Sequence, residues 1–273
     1  KLFKHQSKKN GYYKDYIKLL NINPEKINSV DKIPFLPIEL FKEGKILCDN
    51  VNYEKIFLSS GTTDSKRSHH YIESLKFYEK SIKKSFEIIF GPINRYTIFC
   101  LTPKFTNKNS SSLIHMCEYL IKKSNCSNSG FYLDNYNLLS KKIKTNQKNK
   151  KKFLLIGLSF AVLDFATKNK INLANGIVLE TGGMKNLKKE IIKEELYSVL
   201  QKKMNIKTVG SEYGMTELLS QSYSLKKGQF SSPPWKKILI REINNPLKLV
   251  KTNMVTGGIN IIDLANIHSC AFI

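Results

Sequence analysis

The chain has 273 residues, 41% hydrophobic and 11% aromatic, a composition that suits a globular domain and excludes a disordered one. Its net charge of +23 is spread through lysines scattered among Asn and Ile, and the densest run, 141–152, lacks interleaved aromatics, which argues against a nucleic-acid surface. No apolar run reaches the roughly 18 residues of a membrane span, and five dispersed cysteines without a Cys-x-x-Cys pair speak against a disulfide framework or zinc site, so a cytoplasmic protein is expected.

In chain order, residues 1–56 read as a helical lead-in packed on the main domain. Tyr12, Tyr13, Tyr16, Ile17, Leu19 and Leu20 cluster at helical spacings, and Pro24, Pro34 and Pro37 break the next stretch into an extended connector. A short strand over 54–58 then feeds a hydroxyl-rich loop. The pattern Leu75, Tyr78, Ile82, Phe86, Ile89 predicts an amphipathic helix over 73–90, stopped by Gly91-Pro92. Strands are predicted at 96–101, 153–156 and 176–180, and helices at 110–122, 159–168 and 187–203. Strand, turn and helix alternate, which predicts an α/β fold with mostly parallel sheets covered by helices. The strand-like tail from Ile238 onward suggests a small β-subdomain.

Four motifs carry chemistry. Phe57-Leu-Ser-Ser-Gly-Thr-Thr-Asp-Ser-Lys-Arg-Ser68 offers hydroxyls at Ser59, Ser60, Thr62 and Thr63, close backbone approach at Gly61, and cations at Lys66 and Arg67. That set suits a polyphosphate, although it lacks the glycine-Lys-[Ser/Thr] spacing of P-loop NTPases; the alternative is an ordinary turn. Glu180-Thr-Gly-Gly-Met-Lys185 sits where a strand meets a helix, so its glycines either admit a flat ligand or simply make the turn. In Tyr213-Gly-Met-Thr-Glu217, Tyr213 can stack on a base, Thr216 can donate to a phosphate and Glu217 can hold Mg²⁺. The alternative there is an aromatic core residue followed by a helix cap. Asp263 lies in an otherwise apolar strand, 259–265, and needs partners if buried.

These motifs, in this order over residues 57–265, resemble the adenylate-forming enzymes, the acyl-CoA synthetase and luciferase-like superfamily. Within it, Ser-Ser-Gly-Thr-Thr, Glu-Thr-Gly-Gly-Met-Lys, Glu-Tyr-Gly-Met-Thr-Glu-Leu and the closing Ile-Asp-Leu-Ala-Asn-Ile-His-Ser-Cys-Ala-Phe-Ile are similar to LuxE-type acyl-protein synthetases. So are the opening Leu2-Phe-Lys-His-Gln6 and Tyr12-Tyr13. Asp64 and Ser65 depart from the Gly-x-Pro of many superfamily loops.

The resemblance implies an AMP-forming ligase using ATP and Mg²⁺ on a carboxylic acid, fatty by family, with a protein cysteine or CoA as thiol acceptor and an acyl-reductase partner. It implies a large adenylation domain over 57–273 that stops before the family's small C-terminal lid. By the same resemblance Ser59, Ser60, Gly61, Thr62, Thr63, Lys66 and Arg67 hold phosphates; Gly182, Gly183, Met184, Tyr213, Gly214 and Met215 hold the nucleotide; Asp263 binds ribose hydroxyls; Thr216 and Glu217 are catalytic, Glu217 as metal ligand. His115 corresponds loosely to a pocket-wall residue, and the acylated cysteine lies beyond Ile273, leaving Cys270 structural. A CoA ligase of the phenylacetate type and a non-catalytic nucleotide- or partner-binding module are the alternatives.

Overall fold

Parallel strands buried on both faces need unbroken apolar runs, and the centre of this chain supplies them. The structure, a computed structural model, describes residues 1–60, 66–103, 110–169, 171–183, 191–226, 228–252 and 255–273.

The chain opens with α1 (Leu2–Lys9), α2 (Gly11–Leu19), two 3-10 turns and the short α3 (Leu40–Glu43). Asn10 separates the first two helices, its side-chain oxygen accepting from the Tyr13 amide at 3.1 Å as an N-cap. β1 (Lys55–Leu58) and β2 (His69–Ile72) pair as an antiparallel ribbon that flanks the hydroxyl-rich loop. α4 (Leu75–Phe90) follows, capped by Ser74 and stopped at Gly91, whose φ is +77°. Then come β3 (Tyr96–Leu101), α5 (Ser112–Ser124), β4 (Gly130–Phe131), α6 (Tyr136–Lys148), β5 (Lys152–Gly157), α7 (Ser159–Lys168), β6 (Gly176–Glu180), α8 (Lys193–Met204) and β7 (Thr208–Tyr213). β8 (Ser222–Lys226), β9 (Gln229–Ser231), β10 (Lys236–Arg241) and β11 (Gly258–Asp263) complete the order.

Among the described residues, seven strands form one sheet in the order β4-β3-β5-β6-β7-β8-β9, parallel from β4 through β7 and antiparallel at β8 and β9. Alternation along β3 decides the layers. Ile98 and Cys100 join Tyr78, Ile82 and Phe86 of α4 and Met116 of α5 on one face. Phe99 and Leu101 join Leu139 of α6, Phe165 of α7 and Leu200 of α8 on the other.

β10 and β11 form a separate two-stranded antiparallel sheet, in accord with the strand-like tail read from the sequence. α2 and the connector after it pack on that sheet and the closing segment, with Tyr13, Phe41, Ile261 and Phe272 in one core. Gln6 ties the ends of the chain together: its amide donates to the Asn266 and Ile267 carbonyls at 2.7 and 2.8 Å and accepts from the Ala271 amide at 3.0 Å.

Helix α7 falls at the predicted residues, and α5 begins two residues later than predicted, where the Ser111 hydroxyl accepts from the Ile114 amide and sets the start. The predicted helix over 187–203 is seen from Lys193, and residues 184–190 lie outside the described ones. β2, β4, β7, β8 and β9 have no counterpart among the predicted strands.

Candidate functional site

A cavity of about 430 Å³ opens at the carboxyl ends of β3, β5, β6 and β7, where a parallel sheet leaves a crevice between its connections. Ser59 and Ser60 reach its wall from β1, Gly183 from the turn after β6, and Met215, Thr216 and Glu217 from the turn after β7. Residues far apart in sequence thus share one surface.

The hydroxyl-rich loop is closed at its base. The Ser59 amide donates to the Ser68 carbonyl at 3.1 Å, and the Ser68 amide donates back to the Ser59 hydroxyl at 2.9 Å. Gly61, Thr62 and Thr63 lie outside the described residues, as does Met184. The two cations expected to face phosphate are placed elsewhere. Lys66 is exposed and paired with the Glu43 carboxylate of α3, and Arg67 is also exposed; neither is on the cavity wall. A long lysine stem outside the crevice reaches the nearest carboxylate, and α3 provides one.

The glycine turn is pinned by a buried acid. Gly182 and Gly183 have φ of +77° and +87°, a region that favours glycine. The Gly182 amide donates to Glu180 at 2.8 Å, the Ser159 hydroxyl donates at 2.7 Å and Lys193 contributes an ion pair at 3.0 Å. Burial by itself would raise the Glu180 carboxyl; hydrogen bonds from Ser211, Ser159, Gly182 and Lys193 outweigh it and hold it below its ordinary value.

Thr216 and Glu217 sit side by side on the wall, Glu217 only 6% exposed. His70 of β2 fixes this turn: its Nδ1 lies 2.7 Å from the Thr216 carbonyl and its Nε2 2.9 Å from the Ser269 hydroxyl. Burial pushes the His70 ring down to about 4, so the neutral ring bridges the two. No sequence pattern announces this partnership, because β2 is joined to the turn only through tertiary packing. Among the described residues no cluster of three metal-ligating side chains occurs. Glu217, beside a hydroxyl-lined crevice, fits Mg²⁺, which is commonly bound through one or two carboxylates, waters and substrate phosphates.

Three further sequence candidates stand off the wall. The Tyr213 ring has Lys236 Nζ 5.0 Å from its centroid and packs edge-on against Phe230 at 5.9 Å, while its hydroxyl meets Met215 Sδ at 3.0 Å. His115 packs against Phe57 and Tyr78 at 5.6 Å and lies 3.4 Å from the Glu79 carboxylate. Asp263 is 0% exposed, so the ribose contact expected of it is taken by the protein itself. Its carboxylate accepts from the Ser220 amide at 2.9 Å, the Ser220 hydroxyl at 2.8 Å and the Ala265 amide at 3.1 Å. The acid that needed partners has three, supplied from the segment after the Thr216 turn and from the end of its own strand.

One wall residue stands inside the Glu-Tyr-Gly-Met-Thr-Glu-Leu motif but has no role assigned from the sequence. Glu212, next to Tyr213 on β7, projects to the opposite face of the sheet and lines the cavity. Burial raises its carboxyl to about 7, with the Lys236 charge opposing and Glu180 adding to the rise. Lys236 is itself buried, lowered to about 8 by desolvation against the pull of Asp263 and Glu212, and donates to the Ser220 carbonyl at 3.0 Å.

No family model and no curated protein matches the chain. Solved structures do. An open form of a 2-hydroxyisobutyryl-CoA ligase, in complex with its acyl-adenylate and CoA, superposes with a TM-score of 0.66 at 10% identity over 98% of this chain and 64% of that one. The same ligase in its thioesterification state gives 0.66 at 12% identity, covering 98% and 59%. An O-succinylbenzoate coenzyme A synthetase from Bacillus subtilis, in complex with ATP and magnesium, gives 0.54 at 15% identity over 80% of this chain and 42% of that one. The chain thus has the fold of these adenylate-forming CoA ligases, and spans less than two thirds of their length.

Proposed function

We propose that the chain activates a carboxylic acid with ATP, forming an acyl-adenylate and releasing pyrophosphate, as a step toward a thioester. The observation that carries this reading is the convergence of Ser59 and Ser60, Gly183, Thr216 and Glu217 on one crevice at the carboxyl edge of the sheet. The likeness in fold to ligases captured with an acyl-adenylate supports it.

In this reading a substrate carboxylate oxygen attacks the α-phosphorus of ATP. The new O–P bond forms as the bridging P–O bond to the β-phosphate breaks, and pyrophosphate leaves with that electron pair. A thiol sulfur then attacks the acyl carbon, gives up its proton, and AMP departs. Ser59 and Ser60 donate to phosphate oxygens from the loop base, and the Thr216 hydroxyl donates beside them, held by His70 through the backbone of its turn. Glu217 would hold Mg²⁺, which supplies positive charge against the phosphate oxygens as the bond to phosphorus forms. Gly182 and Gly183 admit the flat base where any Cβ would strain the backbone.

The acceptor is proposed at a finer level. The motif resemblance favours a cysteine of a protein, as in acyl-protein synthetases working with a reductase, whereas the solved neighbours act with CoA. ATP–pyrophosphate exchange across a panel of acids tests the first step, and mass analysis of thioester products with CoA tests the second. Glu217→Gln is expected to lower acid-dependent exchange on the order of 100-fold while leaving the urea midpoint near wild type. Exchange at the wild-type rate would remove Glu217 from the metal role.

A further inference from the structure

Glu212 is a buried acid that the adenylation reading does not use. It is 9% exposed, and that residual exposure faces the cavity. Its surroundings are inward-facing and largely apolar: Tyr78 of α4, Tyr223 of β8, and Gln221, with Met116 of α5 on the same wall. Lys236 and Glu180 act on it through charge alone, and no donor among the described residues is hydrogen-bonded to its carboxyl. Beside it, Gln221 Oε1 and the Tyr223 hydroxyl are buried with no hydrogen-bond partner among the described residues.

Native interiors rarely leave such groups unmatched, since an unsatisfied buried polar atom costs about 1–3 kcal/mol and a charged one more. The contrast with Glu180 and Asp263 is direct. Those two acids, more deeply buried, each accept several hydrogen bonds from the protein, whereas Glu212 opens into the cavity.

The partner for Glu212 is set by strand geometry. Tyr213 and Glu212 are adjacent on β7 and project to opposite faces, so a ligand part that meets Glu212 is not a base lying on Tyr213. Thr216 and Glu217, with the base of the hydroxyl loop, mark where phosphates sit. What is left for the α4–α5 side of the cavity is the acid being activated. We propose that Glu212 anchors a hydrogen-bond donor on that acid, a hydroxyl or an ammonium, so that the substrate is a hydroxy or amino acid rather than a plain fatty chain. This rests on the adenylation reading for the identity of the ligand. An alkyl chain in the same place would strip water from the carboxyl and return nothing.

The test measures exchange and binding in parallel. Acids are hexanoate, 3-hydroxyhexanoate, 6-hydroxyhexanoate and 6-aminohexanoate, with wild type, Glu212→Leu and Glu212→Gln. ATP–pyrophosphate exchange gives kcat/KM for each acid, and ligand-observed NMR without nucleotide gives each Kd. In wild type at least one hydroxy or amino acid is expected to exceed hexanoate by about tenfold or more. Glu212→Leu should bring that ratio near one, and Glu212→Gln, which keeps a polar head, should restore part of it. The hydroxy and amino arms identify which donor is bound. Hexanoate equal to or better than every polar acid in exchange overturns this inference and leaves adenylation standing. Absence of exchange with every acid, together with polar-selective binding that Glu212→Leu abolishes, overturns adenylation and upholds the anchor. Neither exchange nor selective binding overturns both.

Discussion

Replacing Glu212 by Gln should change how stability depends on pH, in a direction that the structure fixes. In the folded chain burial holds the carboxyl protonated up to about 7, against an ordinary value of 4.5. Between these values the folded state binds more protons than the unfolded one, so stability is full below 4.5 and falls as pH rises toward 7. A shift of this size corresponds to on the order of 3 kcal/mol across the window. His70 works the other way: lowered to about 4 from 6.5, it makes stability rise with pH over that interval. The two nearly offset each other between 4.5 and 6.5, so the wild-type profile should be shallow there. Glu212→Gln removes one member and leaves the other, so the variant should gain stability as pH rises from 4 to 6.5. Urea denaturation of both proteins at pH 4.5, 5.5 and 7 provides the comparison, a range in which Lys236, lowered to about 8, keeps most of its proton. The gap between variant and wild type should widen in favour of Gln by on the order of 3 kcal/mol between the ends of the Glu212 window. Parallel profiles would refute the desolvation of Glu212, and with it the physical basis for a ligand-facing buried acid.

Gly210→Ala should be strongly destabilising. A Cβ there would lie 2.0 Å from the Ser224 carbonyl oxygen of the neighbouring strand and 3.1 Å from the Leu179 and Leu225 side chains, so β7 and β8 would have to part. A loss of about 2–3 kcal/mol, read as a lower urea midpoint with unchanged slope, is expected; a neutral outcome would mean that the strand pair yields more readily than its packing implies. Cys270 should be inert in the native state. Burial pushes its thiol up to about 12, and its Sγ lies 3.3 Å from the Phe272 carbonyl. Thiol titration should label it only in denaturant, and incubation with ATP, Mg²⁺ and an acid should leave no hydroxylamine-labile adduct on it. Such an adduct, lost in Cys270→Ser, would make it the acyl acceptor.

The features legible in the sequence are mostly local. The run Tyr96–Leu101 is buried at every position, as a strand covered on both faces requires. The spacing of Tyr78, Ile82 and Phe86 marks the face that α4 buries, and Gly91 marks its end. Relations between distant residues are not legible. Gln6 bonds to the chain 260 residues away, and His70 meets Thr216 across 146 residues, with no local pattern announcing either. Asp263 can be recognised as an acid in need of partners, but Ser220, 43 residues earlier, cannot be named as the one that meets it. Lys66 and Arg67 are legible as cations near a hydroxyl loop, whereas the direction Lys66 takes is set by the tertiary position of α3 and Glu43.

The distribution of acids shows why Glu212 escapes a reading of the sequence and why it matters in the fold. The chain carries 22 acidic residues against 45 basic ones, so carboxylates are scarce and solvent-exposed lysines are plentiful. Among the described residues, the buried acids are Glu180, Glu212, Glu217 and Asp263, and the buried lysine is Lys236. All five lie in or behind the wall of a single cavity, because Glu180 pins the turn at Gly182, Asp263 and Lys236 bracket Ser220, and Glu212 and Glu217 face the opening. Burying an ionisable group opposes folding unless partners compensate. Two of these acids accept several hydrogen bonds from the protein, and Glu212 has no hydrogen-bonded partner among the described residues. Within one motif, then, Glu217 is an acid suited to a metal and a polyphosphate, and Glu212, five residues earlier on the opposite face of β7 from Tyr213, is an acid suited to the group being activated.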